Sequence, residues 1–198
     1  MPKIPDIPGA DIFKGTLIHS SRYTTGREFK AKQCVVLGSN NSAHDICADL
    51  WENDADVTMV QRSSTLVARS ETLFLGSSYS EDSLEAGLSM EQVDMIAATT
   101  PYGLLHISEK QSSQSMQKQD ADFYRRLTEA GFLLDFGDDA SGLYMKYVRR
   151  GSGYYIDVGA SVLIIQGEIK LRSSVSVARI TANSVILTDG SELPADLI

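Results

Sequence analysis

The chain has 198 residues, of which 42% are hydrophobic, and it carries a formal net charge of −8 at pH 7. This length can bury a sizeable core, whereas the acidic balance disfavours a nucleic-acid surface, which needs clustered Lys and Arg to neutralise phosphates. No apolar run approaches the roughly 18 residues that cross a bilayer, and the first residues lack the apolar core of a signal peptide. We therefore expect a globular cytoplasmic protein that binds neither nucleic acid nor membrane.

Residues 1–32 are predicted to form an extended connector rather than a helix. Three prolines and two glycines fall within the first 15 residues, and both residue types interrupt helices. The connector also contains the pattern F-x-G-x-x-x-H-x-x-x-Y, which is formed by Phe13, Gly15, His19 and Tyr23.

Residues 33–62 predict a strand, a tight turn, a helix and a second strand. The apolar run that begins at Cys34 ends at Gly38 and has the length and β-branched content of a buried parallel strand. Apolar side chains then recur at helical spacing from Ala43 to Trp51, and residues 55–60 supply the second strand. This βαβ unit predicts an α/β class, with a Rossmann-like dinucleotide-binding domain over residues 33–198.

The rest of this domain is predicted to hold a helical insertion and short C-terminal strands. The insertion covers about residues 63–119, with a Ser-rich loop, a short helix at 89–98 and a polar run at 109–119. A further helix is expected at 121–130, and five glycines between residues 137 and 159 predict turns around residues 143–149. The expected strands are 168–171, 175–180 and 184–187.

Two cysteines, Cys34 and Cys47, fall in the predicted strand and helix of the βαβ unit. The chain has no CxxC pair, so we expect both thiols in the core rather than in a redox or metal site. The sequence also offers no metal-ligand spacing and no Ser/His/Asp set, so no metal ion and no catalytic residue are predicted, and hydrolase and metalloenzyme functions lack support.

The turn after the first strand is a variant of the dinucleotide fingerprint G-x-G-x-x-G/A, formed by Gly38, Ser39, Asn40, Asn41, Ser42 and Ala43. Gly38 permits the tight turn and Ala43 allows close helix packing, while Asn40 replaces the second glycine because Asn tolerates a positive φ. The N–H groups at the start of the helix would face the phosphates of the nucleotide. Alternatively, Asn41 and Ser42 serve only as helix caps.

Specificity is expected at the end of the second strand, where NAD-binding units place an acid against the ribose. This chain has Gln61, Arg62, Ser63 and Ser64 there. With no acid to repel a 2′-phosphate, Arg62 can add a charge-assisted contact of about 1.5–3 kcal/mol. These residues predict NADP(H) rather than NAD(H), unless Arg62 is only a solvated loop cation.

Five motifs resemble those of flavin-containing monooxygenases, which are related to the plant YUCCA enzymes and more distantly to Baeyer–Villiger monooxygenases. The motifs are P-x-x-P-G at 5–9, the F-x-G-x-x-x-H-x-x-x-Y pattern, N-S-A-H-D-I at 41–46, V-T-M-V-Q-R-S at 57–63 and D-G-x-x-L-P-A-D-L-I at 189–198. The resemblance implies that NADPH reduces FAD and that a flavin hydroperoxide oxygenates a small organic substrate. It also implies that Phe13, Gly15, His19 and Tyr23 couple two nucleotide domains. For His19, a purely structural role is the alternative.

In this family a glycine-rich FAD turn precedes the part seen here, and the chain continues after its last strand back into the FAD domain. The sequence contains no such turn and stops at Ile198. We therefore expect the NADPH-binding portion of a flavoprotein, truncated before the return to the FAD domain and inactive alone. FAD and the missing FAD domain would then belong to the full-length parent. The alternatives are a non-catalytic nucleotide-binding fragment and a flavin-dependent pyridine-nucleotide reductase that lacks a CxxC.

Overall fold

A computed structural model describes residues 4–73 and 79–198. Residues 1–3 of the predicted connector and residues 74–78 of the predicted Ser-rich loop lie outside the described residues. The chain divides into two units, which are Met1–Ser64, Arg126–Leu133 and Gly159–Ile198 for the first, and Thr65–Arg125 and Leu134–Val158 for the second. Most of the predicted insertion lies in the second unit.

The described residues contain both helices and strands. The strands are β1 (Gln33–Leu37), β2 (Asp56–Gln61), β3 (Leu66–Arg69), β4 (Tyr154–Asp157), β5 (Lys170–Ser173), β6 (Val177–Ile180), β7 (Ser184–Leu187) and β8 (Glu192–Pro194). The α-helices are α1 (Asn41–Glu52), α2 (Glu81–Glu85), α3 (Met90–Thr99), α4 (Tyr102–Gln119), α5 (Ala121–Glu129), α6 (Gly142–Arg150) and α7 (Ala160–Gln166). Three short 3₁₀ helices, Ala10–Ile12, Ser20–Arg22 and Gly26–Phe29, lie in the connector.

A parallel sheet with the order β1-β2-β5 forms the centre of the first unit. β1 and β2 run in register from Gln33 opposite Asp56 to Leu37 opposite Val60, and α1 connects them. The predicted βαβ unit is therefore present, and the predicted α/β class is confirmed.

Both ends of the chain extend this sheet on the other side of β1. Leu197 bridges Cys34 in parallel, and Thr16 bridges Leu197 in parallel. The Thr16 N–H donates to the Asp196 carbonyl at 2.8 Å, and the Ile198 N–H donates to the Thr16 carbonyl at 2.9 Å. The chain thus places β2 and β5 on one side of β1 and residues 196–198 on the other, which creates a topological switch point beside β1.

Apolar side chains cover the face of the sheet that carries Val35 and Val60. They belong largely to the antiparallel sheet β6-β7-β8, whose Ile180, Val185 and Leu187 are buried in the same cluster. On α1, Ala43, Cys47 and Leu50 are buried at helical spacing, as expected for a helix that packs on β1 and β2.

The second unit contains β3 and β4, which pair in parallel, together with helices α2, α3, α4 and α6. Residues 143–149, where turns were predicted, lie in α6, and the predicted turn falls at its end, where Gly151 has φ 64°. The predicted polar run 109–119 is the second half of α4, whose Ser113 and Met116 are buried. Strong helix formers on the exposed side and a narrow buried stripe explain this helix.

Candidate functional site

The turn after β1 lies at the carboxyl edge of the parallel sheet. The Gly38 N–H donates to the Val60 carbonyl at 3.0 Å, and Gly38 has φ 138°. A Cβ atom built on Gly38 would meet only the Ala43 Cβ, at 3.7 Å, which is an ordinary contact. The backbone conformation, and not lack of space, therefore requires glycine here.

Asn40 begins α1 as its N-cap residue, with φ −94° and ψ −173°. The predicted reason for Asn at this position is therefore wrong, because its backbone is extended and needs no positive φ. The Asn40 carbonyl accepts from the Ala43 and His44 N–H groups at 3.0 and 3.1 Å. Its side chain is exposed and, in the described part of the chain, makes no capping hydrogen bond.

Asn41 and Ser42 are the first two helical residues of α1 rather than caps outside it. The first N–H groups of an α-helix have no partner within the helix, and they lie at the positive end of its dipole. Within the turn, Ser39 is buried, whereas the Ser42 side chain is exposed. The turn and the 12-residue helix α1 can therefore hold an anion at their junction.

The four residues at the end of β2 have different surroundings. Gln61 is fully buried, and its side-chain amide donates to the Leu133 carbonyl at 3.0 Å and accepts from the Leu133 N–H at 2.9 Å. Gln61 therefore fixes the end of the strand through its side chain. Arg62 and Ser63 are exposed and Ser64 is half-buried. Within the described part of the chain, Arg62 has no salt-bridge partner.

The strand register brings the turn and Arg62 to the same edge. Leu37 lies opposite Val60, so Gly38 follows one strand where Gln61 and Arg62 follow its neighbour. Adjacent strands are about 4.8 Å apart. The first turn of α1, which can hold an anion, and the exposed Arg62 at the end of β2 thus lie beside the switch point of the sheet.

His44 is fully buried in α1, with 0% of its surface exposed. From its place on the helix after the turn, the sequence predicts His44 at the surface; this prediction is wrong, because the residue shares the buried side of the helix with Ala43 and Cys47. Its ring centroid lies 5.7 Å from that of Phe132, and its Nδ1 lies 3.2 Å from the Asn40 carbonyl oxygen. The His44 ring therefore lies between Phe132 and the backbone of the turn.

Phe13 and Gly15 of the connector pattern fix its path along the sheet. Phe13 packs against the cluster that contains Val35 and Val60. A Cβ atom on Gly15 would lie 2.4 Å from the Asp196 carbonyl oxygen and 2.7 Å from the Phe13 ring. Glycine is therefore needed for the connector to pair with the end of the chain.

His19 and Tyr23 fix the next part of the connector. The His19 Nδ1 accepts from the Ser21 N–H at 3.1 Å and so caps the short 3₁₀ helix Ser20–Arg22. The Tyr23 hydroxyl donates to the Asp49 carboxylate of α1 at 2.6 Å. Burial and this hydrogen bond raise the pKa of Tyr23 above its ordinary value. No sequence signal identified Asp49 as the partner, because the two residues lie 26 positions apart.

The two cysteines are free and buried, with exposed fractions of 1% for Cys34 and 0% for Cys47. Burial raises the pKa of Cys34 to about 12, and burial also raises the pKa of Cys47. A thiol that holds its proton is a poor nucleophile, so these residues suit a core better than dithiol chemistry. Among the residues whose positions are described, no three His, Cys, Asp or Glu side chains could share a metal ion.

A cavity of about 450 Å³ in the first unit lies away from the turn. Its lining includes Gln33, Asp56 and Lys170, which are the first residues of β1, β2 and β5. The cavity therefore reaches the amino ends of the strands, opposite the edge that carries Gly38 and Arg62. No helix in the described ranges is long and apolar enough to span a membrane.

Comparison with known proteins identifies a family and several relatives of this chain. The family described as pyridine nucleotide-disulphide oxidoreductase matches residues 1–136. The chain is 40% identical over 73 residues to the probable indole-3-pyruvate monooxygenase YUCCA10 of Arabidopsis thaliana, covering 37% of this chain and 19% of the relative. It is 25% identical over 195 residues to indole-3-pyruvate monooxygenase YUCCA8 of Oryza sativa subsp. indica, covering 98% and 40%.

Solved structures share the fold at low sequence identity. OTEMO in complex with FAD and NADP has a TM-score of 0.62 at 17% identity, covering all of this chain and 44% of that structure. Closed cyclohexanone monooxygenase has a TM-score of 0.53 at 15% identity, covering 99% and 43%. The chain thus spans less than half the length of each of these structures and curated relatives.

Proposed function

Because the chain belongs to the pyridine nucleotide-disulphide oxidoreductase family and its relatives are flavin monooxygenases, we propose that it is the NADPH-binding portion of an FAD-dependent monooxygenase. In the complete protein, bound FAD would accept hydride from NADPH and supply the oxygen chemistry. The task of this chain is to hold the nucleotide.

The observation that carries this proposal is the shared edge of Gly38 and Arg62. The pyrophosphate would lie at the start of α1, between the Gly38 turn and the exposed Ser42. The 2′-phosphate of the adenosine ribose would extend toward the end of β2, where Arg62 has no ion-pair partner among the described side chains. Ligands of open α/β sheets bind at this edge, beside the switch point.

Preference for NADP(H) follows from the charges at the end of β2. Residues 61–64 contain one cation and no acid, so a 2′-phosphate meets attraction without repulsion. A charge-assisted contact of about 1.5–3 kcal/mol corresponds to a preference on the order of 10- to 100-fold. Two of the structural neighbours are described as complexes with NADP or NADP+, which supports this assignment.

The substrate and partners of the complete protein follow from its relatives. The curated relatives are named indole-3-pyruvate monooxygenases, so we propose a small organic molecule as the substrate. The FAD domain would be the partner of this chain within the same polypeptide. A dithiol reductase is less consistent with the residues, because Cys34 and Cys47 are buried and keep their protons.

Isothermal titration with NADP+ and NAD+ tests the proposal. We expect NADP+ to bind more tightly, and we expect Gly38→Ala to weaken its binding by about tenfold or more, because a side chain strains the turn that holds the phosphates. The matched control is Gly167→Ala, which also places a side chain at positive φ (78°) but follows α7, where a Cβ meets nothing within 4 Å. Its NADP+ affinity should be unchanged. Failure of the wild-type chain to bind either nucleotide would overturn the proposal.

A further inference from the structure

Asp49 joins the connector to the helix that begins at the nucleotide turn. One of its carboxylate oxygens, Oδ2, accepts from the Tyr23 hydroxyl and from the Gly26 N–H, both at 2.6 Å. The other oxygen, Oδ1, accepts from the Asn53 side-chain amide at 3.2 Å. Two short bonds to one ionised oxygen are stronger than neutral hydrogen bonds, so this carboxylate is the main polar attachment between Tyr23, Gly26 and α1.

The connector also touches the α1 backbone at this point. A Cβ atom on Gly26 would lie 2.7 Å from the Asp49 carbonyl oxygen and 3.0 Å from the Leu50 Cα. No side chain fits between the two segments, so the 3₁₀ helix Gly26–Phe29 packs directly on α1. A displacement of the helix by even a fraction of an ångström must therefore move the connector or break this contact.

The connector is held by two different elements along its length. Residues 16–18 pair with residues 196–198 of the sheet, whereas Tyr23 and Gly26 are held by α1. The pattern residues Gly15, His19 and Tyr23 lie along the segment that runs from the first of these contacts to the second. The connector path after His19 therefore depends on the position of α1.

We infer that Asp49 is a positioning residue that couples nucleotide binding at the first turn of α1 to the path of the connector through Tyr23 and Gly26. This inference rests on the proposed function. α1 is a single 12-residue helix, and Asp49 lies eight residues after Asn41, or about 12 Å along its axis. Phosphates bound at the first turn of α1 would hold that end of the helix in place. The hydrogen bonds of Asp49 would then restrict the position of the connector. The coupling is reciprocal, so loosening the connector weakens nucleotide binding by the same factor.

Hydrogen–deuterium exchange with and without NADP+ tests this coupling. Saturating NADP+ should slow amide exchange, and the factor is measured in two sets of peptides. One set covers residues 20–28 of the connector, and the other covers β7 and β8, which report global stabilisation. The measured quantity is the first factor divided by the second. A purely structural bond would change exchange in the free protein without changing this ratio. For the wild type we expect a ratio of about five or more.

Three variants separate the outcomes. Tyr23→Phe and Asp49→Ala should bring the ratio close to one, and Tyr23→Phe alone decides the question if Asp49→Ala does not fold. The matched control is Tyr124→Phe, which removes the bond from the Tyr124 hydroxyl to the Val67 carbonyl in the second unit and should leave the ratio at its wild-type value.

A wild type that binds NADP+ with a ratio near one overturns the coupling but leaves the proposed function intact. The same holds for a Tyr23→Phe variant that keeps the wild-type ratio. A wild type that binds no nucleotide overturns both proposals.

Discussion

The two units of this chain use their polar side chains in different ways. In the second unit, charged side chains pair with one another: Arg69 with Asp120 at 3.0 Å, Lys146 with Asp135 at 2.5 Å, and Arg149 with Asp139 at 2.8 Å. In the first unit, the ion pairs Lys30–Asp54 and Lys170–Asp56 are exposed, and several other polar side chains bind backbone groups.

Contacts from polar side chains to backbone occur at several places in the first unit. Gln61 binds the Leu133 backbone, Asp49 binds the Gly26 N–H, and the Asp196 carboxylate accepts from the Gln33 N–H at 2.9 Å. These side chains fix the ends of β1, α1 and β2, and they leave Arg62 exposed at the edge. The first unit therefore leaves the Arg62 cation exposed to a ligand, whereas the second unit buries one member of the Arg69–Asp120 pair and one of the Lys146–Asp135 pair.

The largest effect is expected for Asp135→Ala, which breaks a largely buried ion pair of the second unit. The Lys146 side chain is 8% exposed and that of Asp135 is 27% exposed, so the substitution leaves a nearly buried ammonium without its carboxylate. It should lower the free energy of unfolding by about 3 kcal/mol, measured by urea titration. The control is Asp138→Ala, whose partner Arg150 lies 3.8 Å away, with side-chain exposures of 95% and 66%. It should change stability by less than about 0.5 kcal/mol, and equal losses would contradict the contrast.

The next effect concerns close backbone packing in the first unit. Gly26→Ala places a Cβ atom 2.7 Å from the Asp49 carbonyl oxygen and should lower the free energy of unfolding by about 2 kcal/mol. Gly103→Ala is the same change in α4 of the second unit, where nothing lies within 4 Å, and it should raise stability by about 0.5 kcal/mol. Urea unfolding of both variants measures the difference, and two changes of the same sign would contradict it.

The smallest effect is the pH dependence that the buried thiols add to the first unit. Burial raises the pKa of Cys34 to about 12, whereas an unfolded thiol titrates near 8.5. Above about pH 8.5 the unfolded state binds fewer protons than the folded state, so this contribution is present at lower pH and is lost as pH rises toward 12. At pH 9 the loss should be less than about 1 kcal/mol. Unfolding under reducing conditions at pH 7, 8 and 9 measures it, and Cys34→Ala should have a shallower pH dependence; an unchanged slope would count against the assignment.

The sequence predicted the βαβ unit well because its apolar periodicity is local. The run at β1 and the spacing from Ala43 to Trp51 each specify an element without help from distant residues. The motifs also predicted the flavin monooxygenase relationship, which the comparisons confirm. By contrast, β3, β4 and α7 were missed. Residues 154–165 are nearly continuous in apolar character, and such a run does not distinguish a strand followed by a helix from a single element.

Side-chain partners in the site were not predictable for a related reason. His44 was expected at the surface, but the ring of Phe132, far along the chain, covers it. Gln61 finds its partner 72 residues away at Leu133, and Tyr23 finds Asp49 on α1. These contacts depend on which segments the fold brings together, and no local pattern encodes them. The glycine turn and Arg62 could be identified from the sequence because each is defined by its position within one βαβ unit.

Charge reversal at Arg62 tests whether this side chain recognises the 2′-phosphate of NADP(H). Titrations of NADP+ and NAD+ into Arg62→Glu and into the control Arg179→Glu, an exposed arginine on β6, measure the ratio of the two affinities. Arg62→Glu should lower the preference for NADP+ by on the order of 10- to 100-fold, and Arg179→Glu should leave it unchanged. If Arg62→Glu leaves the ratio of the two affinities unchanged, for example by weakening NADP+ and NAD+ equally, Arg62 does not recognise the 2′-phosphate.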